Sequence, residues 1–463
     1  MRVVVSNVLT VTDYSQSIAD WCESELKLSN PEYAKKLRMG FWVGTTPKHL
    51  YLYEKRGKAL ILPFGTIRQL ARIAPSDTQW LSDLTETPTI DFSGKDVPLY
   101  PYQQTAVETV FKRGHGILQS PAGSGKTQMG IALIKMFGKR ALWLTHTLDL
   151  LNQSKERAEM YIDKSLIGTI TEGKVNIGEG VTFATVQTMS KVDLSQYKDF
   201  WETVIVDEAH RCAGTPTAMT QFYKVLNSLS SRHKIGLTAT AHRSDGLIEA
   251  TYALLGEIIY NVPEEAVGDK IMKVAIKPVA TDVKVSRECL GTDGMLNYQK
   301  LISYLTSNEE RNQLIVNLIE PDRPSLILSE RLDHLELLKS MLPKSEQSKA
   351  VMISGKMASK TGKAKREQAI GDMRSGKKKY LFATYSLAKE GLDIPCLERL
   401  YMATPVKDYA VVTQAIGRIA RTCARKQEAI CCDFVDDIGF LIKAYKKRCE
   451  HYRKAGAYFL SND

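Results

Sequence analysis

The stretch Gly116-Ile117-Leu118-Gln119-Ser120-Pro121-Ala122-Gly123-Ser124-Gly125-Lys126-Thr127-Gln128 decides how the rest of the chain is read. A short apolar strand gives way to a turn of small residues, and a helix opens at its end. Such a turn lets backbone N–H groups converge, and the dipole of the following helix favours an anion at its N-terminus. The pattern follows the phosphate-cradling form G-x-x-x-x-G-K-[ST], with Ser120 in place of the first glycine. In that form Lys126 reaches the β- and γ-phosphates of ATP and Thr127 ligates Mg2+. Gly123 and Gly125 admit close backbone approach, and Pro121, Ala122, Ser124 and Gln128 complete the cradle.

A second motif lies downstream in the expected order, Val204-Ile205-Val206-Asp207-Glu208-Ala209-His210. An apolar strand delivers Asp207 to its carboxyl end, where open parallel sheets bind their ligands, with Glu208 beside it. One acid, Asp207, holds Mg2+ while the next orients or deprotonates the attacking water. Between and beyond these motifs, short β-branched runs alternate with helical stretches, which predicts an α/β fold with parallel sheets built from βαβ units. Strands are expected at 116–119, 141–145, 181–185, 203–206 and 234–237. After a charged stretch at 264–271 they resume at 325–328, 350–353, 380–383, 399–402 and 429–434.

The chain has 463 residues, enough for two or three domains. Its 43% hydrophobic and 25% charged content is that of a globular protein. A net charge of +11 supports a polyanionic partner. The eight cysteines are scattered without C-x-x-C pairs, which suggests neither a zinc site nor a disulfide framework and fits a reducing cytoplasm. No signal sequence and no apolar run of about 20 residues is present, so a soluble, unexported protein is expected.

Residues 1–95 read as a small α/β accessory domain, with a helix around 14–28 and a strand-rich section at 41–62 whose Arg56-Gly57 marks a hairpin turn. Lys35, Lys36, Arg38, Trp42, Lys55, Arg56 and Lys58 are its candidates for a basic, aromatic nucleic-acid surface; the alternative is that the aromatic rings fill a small core. The polar segment 82–97 reads as a linker. The helix expected over 440–463 carries several cations and either packs on the second half or helps hold DNA.

Over residues 97–440 the motifs resemble those of superfamily 2 helicases and translocases. Leu99-Tyr100-Pro101-Tyr102-Gln103 is similar to the adenine-reading element, with Gln103 bonding the base and an aromatic such as Tyr102 stacking on it; Tyr100 stands where such families often carry arginine. Leu142–Thr147, with Thr145 and His146, resembles motif Ia, and Ala184–Thr188, with Thr185 and Gln187, resembles motif Ib; both imply phosphate contacts at strand ends. Gly236-Leu237-Thr238-Ala239-Thr240 resembles motif III, in which Thr238 and Thr240, with His210, couple hydrolysis to movement; Ala241 replaces the usual proline. Ser325–Ser329 looks like motif IV and Ile353–Lys356 like the next strand-end element, and both imply contacts with a nucleic-acid backbone, from Ser329 and Lys356. Ala383–Pro395 resembles motif V, implying a phosphate contact for Thr384 and nucleotide contacts for Gly391 and Asp393. Gln414-Ala415-Ile416-Gly417-Arg418-Ile419-Ala420-Arg421 matches the Q-x-x-G-R-x-x-R of motif VI. On one helix, Gln414, Arg418 and Arg421 would share a face, and the two arginines would act as fingers on the γ-phosphate.

The resemblance implies two RecA-like domains in tandem, 96–272 and 273–463, behind the accessory domain 1–95. The DEAH spelling and the Gly-Leu-Thr-Ala-Thr-x-x-Arg-x-Asp-Gly stretch look most like the DNA-directed branch that includes XPB and UvsW. That branch implies an ATP-dependent motor on single-stranded and branched DNA, independent of sequence, with branch migration, fork regression or unwinding in recombination, replication or repair. An RNA-directed DEAH-type helicase and the motor subunit of a restriction or repair assembly are the alternatives.

Overall fold

The computed structural model describes residues 1–92, 94–213, 216–239, 247–268, 271–291, 294–354, 360–389, 392, 394–423 and 426–460. The chain is α/β and divides into two compact units, Met1–Pro121 with Gly125–Ala266, and Ala122–Ser124 with Val267–Asp463. Among the described residues no helix is long and apolar enough to cross a membrane.

The first unit opens with β1 (Arg2–Val5), β2 (Val8–Thr12), α1 (Gln16–Glu25), β3 (Lys27–Ser29), α2 (Pro31–Arg38), β4 (His49–Tyr51), β5 (Glu54–Arg56), β6 (Ala59–Pro63), α3 (Ile67–Ile73) and β7 (Gln79–Ser82). Alternating apolar residues set the register: Val3 faces Val11, Val5 faces Leu9 and Leu9 faces Leu62. Their side chains are all buried on one face, as expected of antiparallel pairs with one side toward a core, while β7 joins β1 in parallel. The resulting sheet has the order β5-β6-β2-β1-β7, and β3 pairs with β4 apart from it. The hairpin expected at Arg56-Gly57 joins β5 to β6.

The described residues of segment 83–100 form no helix or strand, as expected of a linker, yet several of them are docked. Thr85 N–H donates to the Ser230 carbonyl at 2.8 Å, Thr87 N–H to the Glu202 carboxylate at 2.6 Å and Ile90 N–H to the Gly138 carbonyl at 2.8 Å. Backbone groups here find partners within the first unit in place of water, so the segment is a strap.

The strap leads into α4 (Pro101–Arg113), β8 (Gly116–Gln119), α5 (Lys126–Phe137), β9 (Ala141–Thr145), α6 (Leu148–Ala158), β10 (Ile167–Thr171), β11 (Lys174–Asn176), β12 (Val181–Thr185), α7 (Val186–Met189), β13 (Thr203–Asp207), α8 (Pro216–Leu226), β14 (His233–Thr238), α9 (Ile248–Leu255), β15 (Ile258–Asn261) and α10 (Glu264–Val267). Eight strands form one sheet in the order β11-β10-β12-β9-β13-β14-β8-β15. Every pairing except β10 with β11 is parallel. Strands β9, β12 and β13 are buried at every residue, the signature of a sheet covered on both faces.

The second unit contains β16 (Ala275–Thr281), α11 (Tyr298–Ser307), α12 (Glu309–Asn317), β17 (Ser325–Ser329), α13 (Leu332–Met341), α14 (Lys344–Gln347), β18 (Ala350–Met352), α15 (Lys360–Arg374), β19 (Tyr380–Thr384), α16 (Tyr385–Lys389), β20 (Arg399–Met402), α17 (Tyr409–Ile419), β21 (Ile430–Asp436), α18 (Gly439–Lys454) and β22 (Tyr458–Phe459). Its seven strands run in the order β18-β19-β17-β20-β21-β16-β22 and are all parallel. Helix α18 packs back on this sheet: Arg448 is buried and donates to both Asp433 oxygens at 2.8 Å.

Candidate nucleotide-binding site

The turn after β8 folds as a cradle because two glycines take conformations that other residues avoid. Gly123 and Gly125 both have φ of +83°. At Gly125 space is lacking as well as permission, since a Cβ would stand 2.4 Å from Gln103 Nε2. Gln103 itself is buried, and its Oε1 accepts from the Tyr100 N–H at 2.8 Å. This capping of α4 fixes the glutamine beside the turn, with Tyr102 next to it in a stacked pair with Tyr100 (ring centroids 6.0 Å apart). Pro121, Ala122 and Ser124 form the bend, Lys126 begins α5, and Thr127 occupies its first turn. Lys126 Nζ lies 3.5 Å from the Ser120 carbonyl, and Gln128 donates to the Pro98 carbonyl and the Tyr161 hydroxyl at 3.2 and 3.1 Å.

Strand order brings the acids alongside this cradle. β13, β14 and β8 are consecutive neighbours, with Asp207 opposite Leu237 and Thr238 opposite Gln119. Asp207 is buried at the end of β13, where one oxygen receives the Glu208 N–H at 3.0 Å and the other the Ser154 hydroxyl at 3.4 Å. Glu208 follows with φ of +49°, a left-handed conformation costly for a non-glycine residue and typical of functional turns. Burial, with the Glu208 carboxylate beside it, pushes the Asp207 carboxyl well above the usual range, while Lys126 pulls the other way. A buried carboxyl with a raised pKa beside a second carboxyl is a donor set that a divalent cation fits, since the cation's charge favours the ionised form. His210 is also buried, its Nδ1 standing 3.0 Å from Thr238 Oγ1 and 3.3 Å from Glu208 Oε2.

The residues expected to touch nucleic acid behave less uniformly. Thr145 is fully buried and donates its hydroxyl to the Thr147 carbonyl at 3.0 Å, so it shapes the end of β9 and presents no hydroxyl to a phosphate. Gln187 donates to the His146 carbonyl at 2.8 Å, tying the ends of β9 and β12 together, and Thr185 bonds Thr188 at 3.0 Å. Ser329 departs from expectation as Thr145 does: it is fully buried, bonds His334 Nδ1 at 3.0 Å and accepts from the Arg331 N–H at 3.1 Å. Thr384 is only partly buried and pairs with Ser386 at 2.9 Å.

In the second unit, Gln414 and Arg418 lie on α17, with Gln414 buried and Arg418 Nη1 donating to the Leu392 carbonyl at 3.1 Å. Arg421 is not on that helix. α17 ends at Ile419, the Ala420 carbonyl accepts from the Met272 N–H at 2.7 Å, and Arg421 forms an isolated antiparallel bridge with Ile271. The chain therefore leaves the helix before the second arginine, and the shared face expected from helical spacing does not form. Thr240, Lys356, Gly391 and Asp393 lie outside the described residues. Ser154 was missed by sequence reasoning, because one serine on a helix gives no signal until folding brings it against Asp207.

Residues 96–243 match the family model described as type III restriction enzyme, res subunit, and residues 310–423 match the helicase conserved C-terminal domain. The chain is 26% identical over 368 residues to "Putative ATP-dependent RNA helicase L396" of Acanthamoeba polyphaga mimivirus, covering 77% of this chain and 68% of that protein. It is 26% identical over 374 residues to "DNA 3'-5' translocase XPB2" of Sulfurisphaera tokodaii, covering 73% and 82%. Among solved structures, S. cerevisiae Dbp5 bound to RNA and ADP BeF3 shares the fold with a TM-score of 0.53 at 18% identity, over 79% of this chain and 94% of that one.

Proposed function

The chain belongs to the superfamily 2 helicases and is an ATP-dependent hydrolase, and from that premise we propose that it is a DNA helicase or translocase acting on branched DNA. The observation that carries the reading is the alignment of phosphate cradle, acid pair and coupling hydroxyl on three adjacent strands, β8, β13 and β14. In this reading Lys126 and the amides around Gly123 and Gly125 bind the triphosphate, and Gln103 and Tyr102 meet the base. Thr127 and Asp207 hold Mg2+, which when bound offsets charge on the phosphate oxygens. Glu208 takes the proton of the attacking water, held in place by its turn and by His210. Arg418 and Arg421, with Gln414, are the proposed groups that stabilise charge at the γ-phosphate.

The domain boundaries proposed are an accessory domain at 1–95 and motor domains at 96–272 and 273–463. Grip on the strand is mainly on phosphate and sugar, so binding is independent of sequence and weakens steeply with salt. DNA as substrate is supported by the similarity to the Sulfurisphaera DNA translocase, and the DEAH and GLTAT stretches support the same branch. Similarity to the mimivirus RNA helicase favours RNA as the second reading, and the restriction-subunit family model favours a motor that serves an assembly. ATP turnover stimulated by single-stranded DNA and a four-way junction, and much less by matched RNA, supports the first reading. Preferential stimulation by RNA replaces it with the second, and stimulation by DNA without strand displacement replaces it with the third.

A further inference from the structure

Residues 30–58 carry seven lysines and arginines against two glutamates, a net +5 within 29 residues of a chain whose total is +11. The same segment exposes its largest apolar side chains. Leu37 is 65% exposed, Phe41 60% and Trp42 86%, and α2 buries no residue at all. Tryptophan is among the side chains that burial stabilises most, so an indole standing in water marks a surface with an occupant.

The segment is nevertheless held in shape. Asn30 caps α2 by accepting from the Glu32 N–H at 3.0 Å and donates its amide to the Pro47 carbonyl at 2.8 Å. Lys36 donates to Thr46 Oγ1 at 2.7 Å, and the Phe41 N–H to the Lys36 carbonyl at 2.9 Å. The Trp42 ring rests on Gly44, where a Cβ would stand 2.8 Å from Cζ3 and φ is +52°. Polar bonds thus hold in shape a ledge of backbone that carries the exposed Phe41 and Trp42 side chains, the Trp42 ring lying against Gly44, with exposed Lys35, Arg38 and Lys48 in the same segment.

From this arrangement we propose that the Phe41–Trp42 ledge binds the unpaired or duplex-end nucleobases of a DNA branch point by stacking, with Lys35, Arg38 and Lys48 pairing with the adjacent phosphates. Flat exposed rings interleaved with cations are the chemistry that nucleobases and their phosphates recognise together. A base offers its face only where the duplex ends or opens, so the ledge favours branch points over continuous duplex. The inference rests on the DNA-motor reading for its choice of nucleic acid. A basic, aromatic surface also suits an anionic lipid bilayer; nucleic acid is favoured because the same compact unit carries the helicase motifs.

The test uses the full chain without nucleotide and three probes: a fluorescein-labelled four-way DNA junction, a blunt duplex of the same sequence, and phosphatidylserine-containing vesicles. Phe41→Ala with Trp42→Ala is expected to weaken junction binding roughly tenfold, as removal of base-stacking rings does, with a smaller loss on continuous duplex. Trp42→Phe is expected to restore most of it. Tryptophan fluorescence should be quenched when wild type binds the junction, with less quenching in the double variant. Both rings bury little, so basal ATP turnover and the unfolding midpoint are expected to stay at wild-type values. Junction affinity unchanged in the double variant, or a loss confined to vesicles, overturns the proposal. DNA-driven strand displacement with unaltered junction binding would refute the ledge and leave the motor standing. Displacement confined to RNA would refute the DNA motor, whereas the ledge is judged by the binding data.

Discussion

His210 Nδ1 and Thr238 Oγ1 stand 3.0 Å apart, which joins the turn carrying the acid pair to the end of the neighbouring strand β14. The same nitrogen lies 3.3 Å from Glu208 Oε2. A change at Glu208 as phosphate is released therefore has a direct route into Thr238 through one buried imidazole. Thr238→Val should keep ATP turnover within about threefold of wild type and lower strand displacement per ATP about tenfold, the hydrogen bond being a coupling element and not part of phosphate binding. Turnover and displacement measured in the same reaction check it; equal losses in both would place Thr238 in the hydrolytic step.

Ser154 donates to Asp207 from within the core at 3.4 Å. Removing the hydroxyl leaves a buried carboxyl with one donor fewer and favours its protonated form. Ser154→Ala should lower kcat roughly threefold to tenfold, with a higher Mg2+ concentration needed for half-maximal turnover and little change in the unfolding midpoint. A Mg2+ titration of ATP turnover reads this directly; an unshifted titration would mean that the serine is only packing.

Arg311 and Asp436 form a fully buried ion pair in the second unit, with Nε–Oδ1 at 2.7 Å. Thr281 Oγ1 donates to the same carboxylate at 2.7 Å, and Arg311 Nη1 to the Ala403 carbonyl at 2.7 Å. Asp436→Ala strands a buried guanidinium and should destabilise this unit by about 3–5 kcal/mol. The paired replacement Arg311→Met with Asp436→Leu should recover most of that loss, because both charges leave together. Denaturant unfolding of the three proteins gives the comparison, and a single-variant loss below about 1 kcal/mol would contradict it.

His334 contributes a pH dependence of stability. It is buried, bonded through Nδ1 to Ser329 at 3.0 Å and through Nε2 to Asn312 Oδ1 at 2.9 Å, and burial lowers its pKa to about 3. An unfolded histidine titrates near pH 6.5. Between these values the unfolded chain binds a proton that the folded chain does not, so stability falls as pH falls, by up to about 1.4 kcal/mol per pH unit. The contribution is complete above about pH 7. His334→Gln should be less stable than wild type at pH 7.5 and show a shallower acid slope over pH 6.5–4.5. Parallel slopes for the two proteins would exclude the histidine as the cause.

Much of this was legible in the sequence because spacing and order carry it. The runs 116–119, 141–145 and 203–206 are continuous and apolar, and Lys126, Asp207 and Glu208 follow them at strand ends. Other features depended on long-range packing that no local pattern encodes. Segment 82–97 is polar enough to read as a linker, yet Glu202, Ser230 and Gly138 bind its backbone. Thr145 and Ser329 have the residue types of phosphate contacts, but their hydroxyls turn inward. Arg421 has helical spacing from Arg418, but the chain breaks off to pair with Ile271. For Trp42 composition left two outcomes open, and its 86% exposure favours a surface over a small core.

The most direct test of the central claim is ATP-driven strand displacement from a synthetic four-way DNA junction, with wild type beside Lys126→Ala and a matched RNA junction. The account predicts displacement of the DNA junction by wild type, none by Lys126→Ala, and little on RNA. Displacement that survives Lys126→Ala, or that occurs on RNA alone, would contradict it.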